Sequence, residues 1–224
     1  MDPNQTIITD LSSKLAPLKD PEFAIWQTNY LRNQFLFLGV KSPLLRKILQ
    51  KIKKENAFTN WREEVQQLIT QPAREFHHAA YIWAILHRNS RIESDLSLYT
   101  QLIQTHSWWD TVDPIATQLI GPFFEQFPKL VDVTQQWIHS PNLWMRRTAI
   151  IYPIYNKKEI IQESLFHNCK QLRLDKDFFI RKAIGWALRE YAKIQPDAVL
   201  KFLTTAELSP LSVREAKRHL RTSQ

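Results

Sequence analysis

Phe178-Phe179-Ile180-Arg181-Lys182-Ala183-Ile184-Gly185-Trp186-Ala187-Leu188-Arg189-Glu190-Tyr191 reads as one helix: its apolar residues return every three or four positions and nothing in it alternates. The residue that decides the fold is the small one in the middle. Ala183 has counterparts at Ala80, Ala116, Ala149 and Ala216, at spacings of 36, 33, 34 and 33 residues. Each lies in the second helix of an approximate helix pair, where so small a side chain lets that helix approach its neighbour closely. Three residues beyond each alanine stand Trp83, Leu119, Tyr152, Trp186 and His219; two before it stand His78, Pro114, Arg147, Arg181 and Arg214. A period of this length in helix pairs predicts an all-α fold of the solenoid type, in which each pair buries its face by stacking on the next. Such arrays curve into a superhelix whose concave surface is the usual binding face.

Working outward, helices are expected from Asn4 to Leu15, from Pro21 towards Gly39, and from Leu44 to Lys54 behind a Ser42-Pro43 start. Another starts at Thr59 or Asn60. Helices then follow at Ala73 to His87, Glu93 to His106, Trp108 to Phe127, Lys129 to His139, Asn142 to Tyr155, Lys158 to Gln171, Asp175 to Lys193, Pro196 to Thr204 and Pro210 to Arg221. With 224 residues, 44% of them hydrophobic and 23% charged, the chain is expected to fold as a single domain, residues 1–224. Only three glycines occur, too few for phosphate-binding loops or a family of tight hairpins.

Thirty Lys and Arg against 22 Asp and Glu give a net charge of +8, which favours a polyanionic partner through counterion release. The single Cys169 leaves no internal disulfide to form, and the amino terminus lacks the charged start and apolar core of a signal peptide. The expected location is the cytoplasm, in association with the nucleoid, with no membrane span.

Chemistry is concentrated at Ser107-Trp108-Trp109-Asp110-Thr111-Val112-Asp113-Pro114. In a helix, Trp109 and Asp113 stand four residues apart and share a face, whereas Trp108 must turn elsewhere and reads as core. In repeat register Asp113 and Arg147 take nearly matching sites in consecutive repeats, with Trp186 one repeat further on, so the three are expected along one wall of the groove. A carboxylate flanked by indole faces suits a substrate that is, or becomes, a cation; a desolvated cation gains roughly 2 kcal/mol from a tryptophan face. A purine alkylated at N7 or N3 is such a cation and needs no strong acid to leave, only stabilisation of the oxocarbenium sugar and a placed water. Plainer readings stand beside this one. Asp113 before Pro114 is also a regular helix start, Arg147 can pair with an acidic group of the next repeat, and Trp186 can be core. His77-His78 has no ligand partners at metal spacing and reads as a polar repeat face, and Lys51, Lys53 and Lys54 read as a solvated helix end.

Trp108-Trp109-Asp110-Thr111-Val112-Asp113, Leu143-Trp144-Met145-Arg146-Arg147-Thr148-Ala149-Ile150 and the stretch from Phe178 to Tyr191 resemble the AlkD family of DNA alkylation-repair glycosylases. Asn29-Tyr30-Leu31-Arg32-Asn33-Gln34-Phe35-Leu36-Phe37-Leu38-Gly39-Val40 is similar as well, so the resemblance runs from about residue 20 to about 195. It implies an α-solenoid of HEAT-like repeats with a concave basic groove that removes cationic 3-alkyl and 7-alkyl purines from duplex DNA without turning the nucleotide out into a pocket. Position by position, it makes Asp113 the catalytic carboxylate and Trp109 and Trp186 the aromatic walls. It makes Arg147 an arginine that engages DNA beside them, Tyr30 a further groove contact, and Arg189 a phosphate contact. Leu36 departs from the proline expected in the Phe-Pro-Phe-Leu-Gly type of motif, a change expected to touch helix packing. The expected enzyme is monofunctional, monomeric and free of metal and cofactor. The rival class is a non-catalytic repeat scaffold that binds DNA or a protein through the same face.

Overall fold

The computed structural model describes residues 6–55, 60–155 and 162–222. Among these the chain is helical between its connecting segments, and a lone parallel bridge joins Leu36 to Ala73. It divides into two compact units, residues 1–98 and 99–224.

In the first unit, α1 (Ile7–Leu15) starts at a capping box in which Thr6 and Thr9 satisfy each other's backbone N–H groups. It buries Ile7, Leu11 and Leu15 against α3 (Ser42–Glu55) and α4 (Trp61–Ile69), and α5 (Arg74–Leu86) packs on both α3 and α4. Asn60 caps α4, as one of the two expected starts; the other, Thr59, lies outside the described residues. The buried Glu64 accepts the indole N–H of the fully buried Trp83 at 2.7 Å, so a polar bond ties these helices as well as apolar burial.

α2 (Pro21–Tyr30) stops well short of Gly39 because Arg32 and Asn33 take positive φ values of 58° and 59°, which turn the chain out of the helix. The segment that follows is pinned by one carboxylate. Glu75, 1% exposed, accepts the backbone N–H groups of Leu38, Gly39 and Val40 at 2.9–3.1 Å. Gly39 sits at φ 87°, and a Cβ there would fall 1.9 Å from the carbonyl oxygen of Asp20. Leu36 is 70% exposed, and its carbonyl accepts the Arg74 N–H at 2.8 Å, so this position contributes backbone pairing where helix packing was expected. His77 and His78 are buried, contrary to the polar face expected of them: His77 bonds the carbonyl of Gln71 at 2.7 Å, and its ring meets Phe35 edge to face. Lys51, Lys53 and Lys54 do end α3 in solvent, with Lys53 reaching the carbonyl of Leu86.

α6 (Asp95–Gln104) carries the boundary between the units. In the second unit a helical path runs through α7 (Trp109–Ile115), a wide π turn over Ala116–Ile120, and α8 (Gly121–Gln126). A single regular helix was expected here. Pro114 inside α7 and Pro122 inside α8 each lack an N–H, and the path accommodates them by loosening between the two. α9 (Val133–Ile138) packs on α10 (Leu143–Ile151), and α11 (Gln162–Gln171) on both α10 and α12 (Phe178–Ala192). α12 then receives α13 (Pro196–Thr205) and α14 (Pro210–Ala216). Asn142, Asp177 and Ser209 cap α10, α12 and α14 through side-chain oxygens, which fixes where each second helix begins.

The repeat read from the sequence is built in. Ala80, Ala116, Ala149, Ala183 and Ala216 are each 0% exposed. In the second unit, successive second helices α7, α10, α12 and α14 pack on one another. Polar rungs cross between them: the Ser212 hydroxyl donates to the Arg181 carbonyl at 2.9 Å, and Lys182 pairs with Glu215 at 3.0 Å. The lone Cys169, on α11, is completely buried.

Candidate functional site

Trp108 has extended backbone, φ −158° and ψ 163°, and its carbonyl accepts the N–H groups of Thr111 and Val112. The helix therefore begins at Trp109, and Asp113 lies one turn inside it. This disposes of the capping reading: Asp113 and Pro114 are interior residues of α7, and the carboxylate of Asp113 binds no helix-start amide. It is gripped by Arg147 instead, with Nε donating to Oδ1 and Nη2 to Oδ2, both at 2.7 Å. A further N–H, on Nη1, donates to the carbonyl of Phe179 at 2.6 Å. One guanidinium thus ties α7, α10 and α12 together and uses three of its five N–H donors in doing so. The side chain of Arg147 is 7% exposed and that of Asp113 18%, so the carboxylate keeps the better access to solvent.

Burial pushes the Asp113 carboxyl above its ordinary value; the Arg147 bonds and charge pull it back, and the neighbouring Asp110 adds to the rise. Trp108 packs its ring against Trp144 at 5.6 Å and Phe179 at 5.2 Å, and those two meet at 5.0 Å. Trp108, at the start of α7, thereby joins Trp144 of α10 and Phe179 of α12, but it is only half-buried where core was expected. Trp109, at the head of α7, is half-buried on the face it shares with Asp113.

Trp186 lies about two turns beyond Phe179 on α12 and is also half-buried. Its neighbour Gly185 explains its setting. A Cβ on Gly185 would lie 2.4 Å from the Cβ of Glu215 and 2.8 Å from the Ser212 carbonyl, so α14 crosses α12 at this point in near backbone contact. Arg189 points one donor at Glu215, 3.3 Å away. Burial raises the Glu215 carboxyl, and Lys182, Arg218 and Arg189 outweigh it, holding it below the usual carboxylate range. Tyr30 closes α2 in the other unit, 57% exposed.

Register had put Asp113 beside Arg147, and the two are bonded. It had not shown the Phe179 carbonyl, a backbone group with no sequence signature, nor Glu215. The latter was within reach, because Lys182 and Glu215 each stand one residue before a repeat alanine, 33 apart. Among the described residues no group of three or more His, Cys, Asp or Glu side chains is placed to hold a metal ion, and no helix is long and apolar enough to cross a membrane.

A protein of Enterococcus faecalis described as a predicted DNA alkylation repair enzyme superposes with a TM-score of 0.85, at 25% identity, over 92% of this chain and 98% of that one. AlkD2 from Streptococcus mutans superposes with a TM-score of 0.64 at 16% identity, covering 93% of this chain and 98% of its own, a likeness of fold. The helical-repeat solenoid expected from the alanine period is thus the fold this chain shares with solved structures. The sequence matches no curated protein. The family model described as DNA alkylation repair enzyme matches residues 11–220, and the chain therefore belongs to the DNA alkylation repair enzyme family.

Proposed function

We propose that this protein is a monofunctional DNA glycosylase that excises N3- and N7-alkylated purines, such as 3-methyladenine and 7-methylguanine, from duplex DNA. One observation carries the reading. The Asp113 carboxylate is fixed to a bidentate guanidinium, yet it is the more exposed partner and shares a helix face with Trp109. A carboxylate held in one orientation at the edge of a water-poor site stabilises a developing cation without reorganising, the situation in which electrostatic catalysis is worth most.

In the reaction, the bond between C1′ and the purine nitrogen breaks and its electron pair passes to the base, which thereby loses its positive charge. Cationic character moves to the deoxyribose, where Asp113 faces it. Water then attacks C1′ and loses a proton, leaving a free neutral alkylpurine and an abasic sugar. Trp109 and Trp186 line the site with indole faces that attract the cationic base and sugar. Arg147 orients Asp113 and keeps two donors for the DNA backbone, and Tyr30 and Arg189 contact the strand. No metal or cofactor is called for, because the leaving base already carries the charge that an acid would otherwise have to supply. The protein acts as a monomer in the cytoplasm, on the nucleoid.

The test is release of 7-methylguanine and 3-methyladenine from methylated duplex DNA, with duplex binding followed from about 50 to 200 mM salt. Release together with a steep fall in affinity is the expected result. Salt-sensitive binding without release would leave the scaffold reading, and a flat salt dependence would remove DNA as the partner.

The pH profile follows from the site. Asp113 works as the carboxylate, and burial has raised its pKa, so release should fall on the acid side at a pH above the ordinary aspartate range. Arg147 is the group that pulls that pKa down. In Arg147→Met the acid limb should move to still higher pH, as read from single-turnover release after subtraction of spontaneous depurination.

A further inference from the structure

We infer that Arg146 and Arg181, drawn together by Asp175, form a binding site for one phosphodiester group of the DNA strand. The inference rests on the reading of this chain as a protein that acts on DNA, and adds to it a contact outside the Asp113 site.

The repeat points to the place. Asp113 stands three residues before its repeat alanine and Arg147 two before the next one, and that register makes them partners. One repeat further on, the same two positions hold Arg146 and Arg181. Where α7 offers α10 a carboxylate, α10 offers α12 a second guanidinium. The negative charge that one repeat carries in its own sequence has to come, in the next, from outside the pair.

Both arginines are fixed on one residue. Nε of Arg146 donates to the Asp175 carboxylate at 3.0 Å, and Nε of Arg181 donates to the Asp175 carbonyl at 3.0 Å. Asp175 is itself held, its carboxylate accepting the Asp177 N–H at 2.8 Å. Nη1 of Arg146 donates to the carbonyls of Ser140 and Pro141 at 2.7 and 3.1 Å, so the side chain is tied on two sides.

The remaining donors are open. Among the described residues, Nη1 and Nη2 of Arg181 and Nη2 of Arg146 bond no group, and none of these three nitrogens is buried. A guanidinium held through Nε keeps its outer N–H groups for an oxyanion, and that of Arg181 keeps both terminal nitrogens. Of the nearby charges, Asp175 is engaged with Arg146, Asp177 is engaged as the cap of α12, and Lys176 between them is exposed. Carboxylate and phosphate both fit such donors; a chain of net charge +8 from a DNA repair family meets phosphate. The seam is also the right one, because Arg146 is the chain neighbour of Arg147 and Arg181 follows Phe179, whose carbonyl Arg147 holds, by two residues.

The test follows duplex binding by wild type, Arg146→Gln, Arg181→Gln and the double variant from about 50 to 200 mM salt, with melting temperatures alongside. Each single variant should bind about fivefold more weakly. In the double variant the slope of log affinity against log salt should flatten by roughly one, the count of a single phosphate, and the loss should fall short of the product of the single losses. Unchanged affinity in Arg181→Gln would overturn the inference, and this variant decides alone if Arg146→Gln proves poorly folded. A slope change of about two with multiplied losses would also overturn it, since two separate phosphates would then be bound. Inorganic phosphate is titrated against the same proteins without DNA. A phosphate-induced rise in melting temperature that needs both arginines, with duplex binding indifferent to them, would assign the site to free phosphate and overturn the strand contact. Any of these failures with 7-methylguanine release intact would leave the glycosylase reading standing. A wild type that neither binds duplex nor releases base would overturn both.

Discussion

Asp113→Asn should reduce release of 7-methylguanine by at least about a hundredfold, the loss typical when one electrostatic contact to a transition state is removed. It should also destabilise the protein, which a helix cap exchanged for Asn would not do. Asn keeps one acceptor and places an amide where Arg147 needs the other, so a guanidinium only 7% exposed is left with an uncompensated charge. Breaking such a pair costs about 3–5 kcal/mol, and the lower end applies because Asp113 retains some contact with water. Lost activity in this variant alone would therefore mix chemistry with folding. The double variant Asp113→Leu with Arg147→Met separates them, because apolar replacement of both partners of a buried pair is often neutral or stabilising. Its melting temperature should return towards that of wild type while release stays absent. A well-folded double variant that still releases alkylpurines would end the catalytic assignment of Asp113 and favour a fold in which the pair merely fastens two repeats.

The second large effect lies in the first unit. Glu75→Ala should lower unfolding free energy by about 4 kcal/mol, seen as an earlier urea midpoint for that unit. Three amides, of Leu38, Gly39 and Val40, converge on this carboxylate, and leaving a buried donor unmet costs about 1–3 kcal/mol each. Glu75→Gln should cost much less. All three amides reach the same oxygen, Oε1, which the amide carbonyl of Gln can replace; what is lost is the charge and the second contact from Leu38 to Oε2. If Glu75→Ala proved as stable as Glu75→Gln, the segment would not depend on this carboxylate, and the anchoring of α2 would have to be sought elsewhere.

Legibility followed the distance over which a signal acts. The alanine column could be read because close approach of helices leaves no room for another side chain, a constraint that each repeat states again. The Asp113 and Arg147 pairing could be read for the same reason, since register converts a separation of 34 residues into adjacency. Asp113-Pro114 carried a local signal for a helix start, and tertiary structure overrode it: the extended Trp108 starts the helix earlier, and the ion pair claims the carboxylate. The end of α2 was missed because Arg32 adopts a left-handed backbone that its residue type does not announce, and the preference of Asn33 for that region was not read as a stop. The burial of His77 and the Glu75 anchor were out of reach, because their partners are carbonyls and amides that every residue possesses.

Cys169 has a consequence of another kind. Agents that methylate purines also attack sulfur, and the species they attack is the thiolate. Complete burial drives the Cys169 thiol far above its ordinary pKa, so almost none is ionised at neutral pH and none meets solvent. The sole thiol of the chain is thereby shielded from the electrophiles that create lesions in DNA.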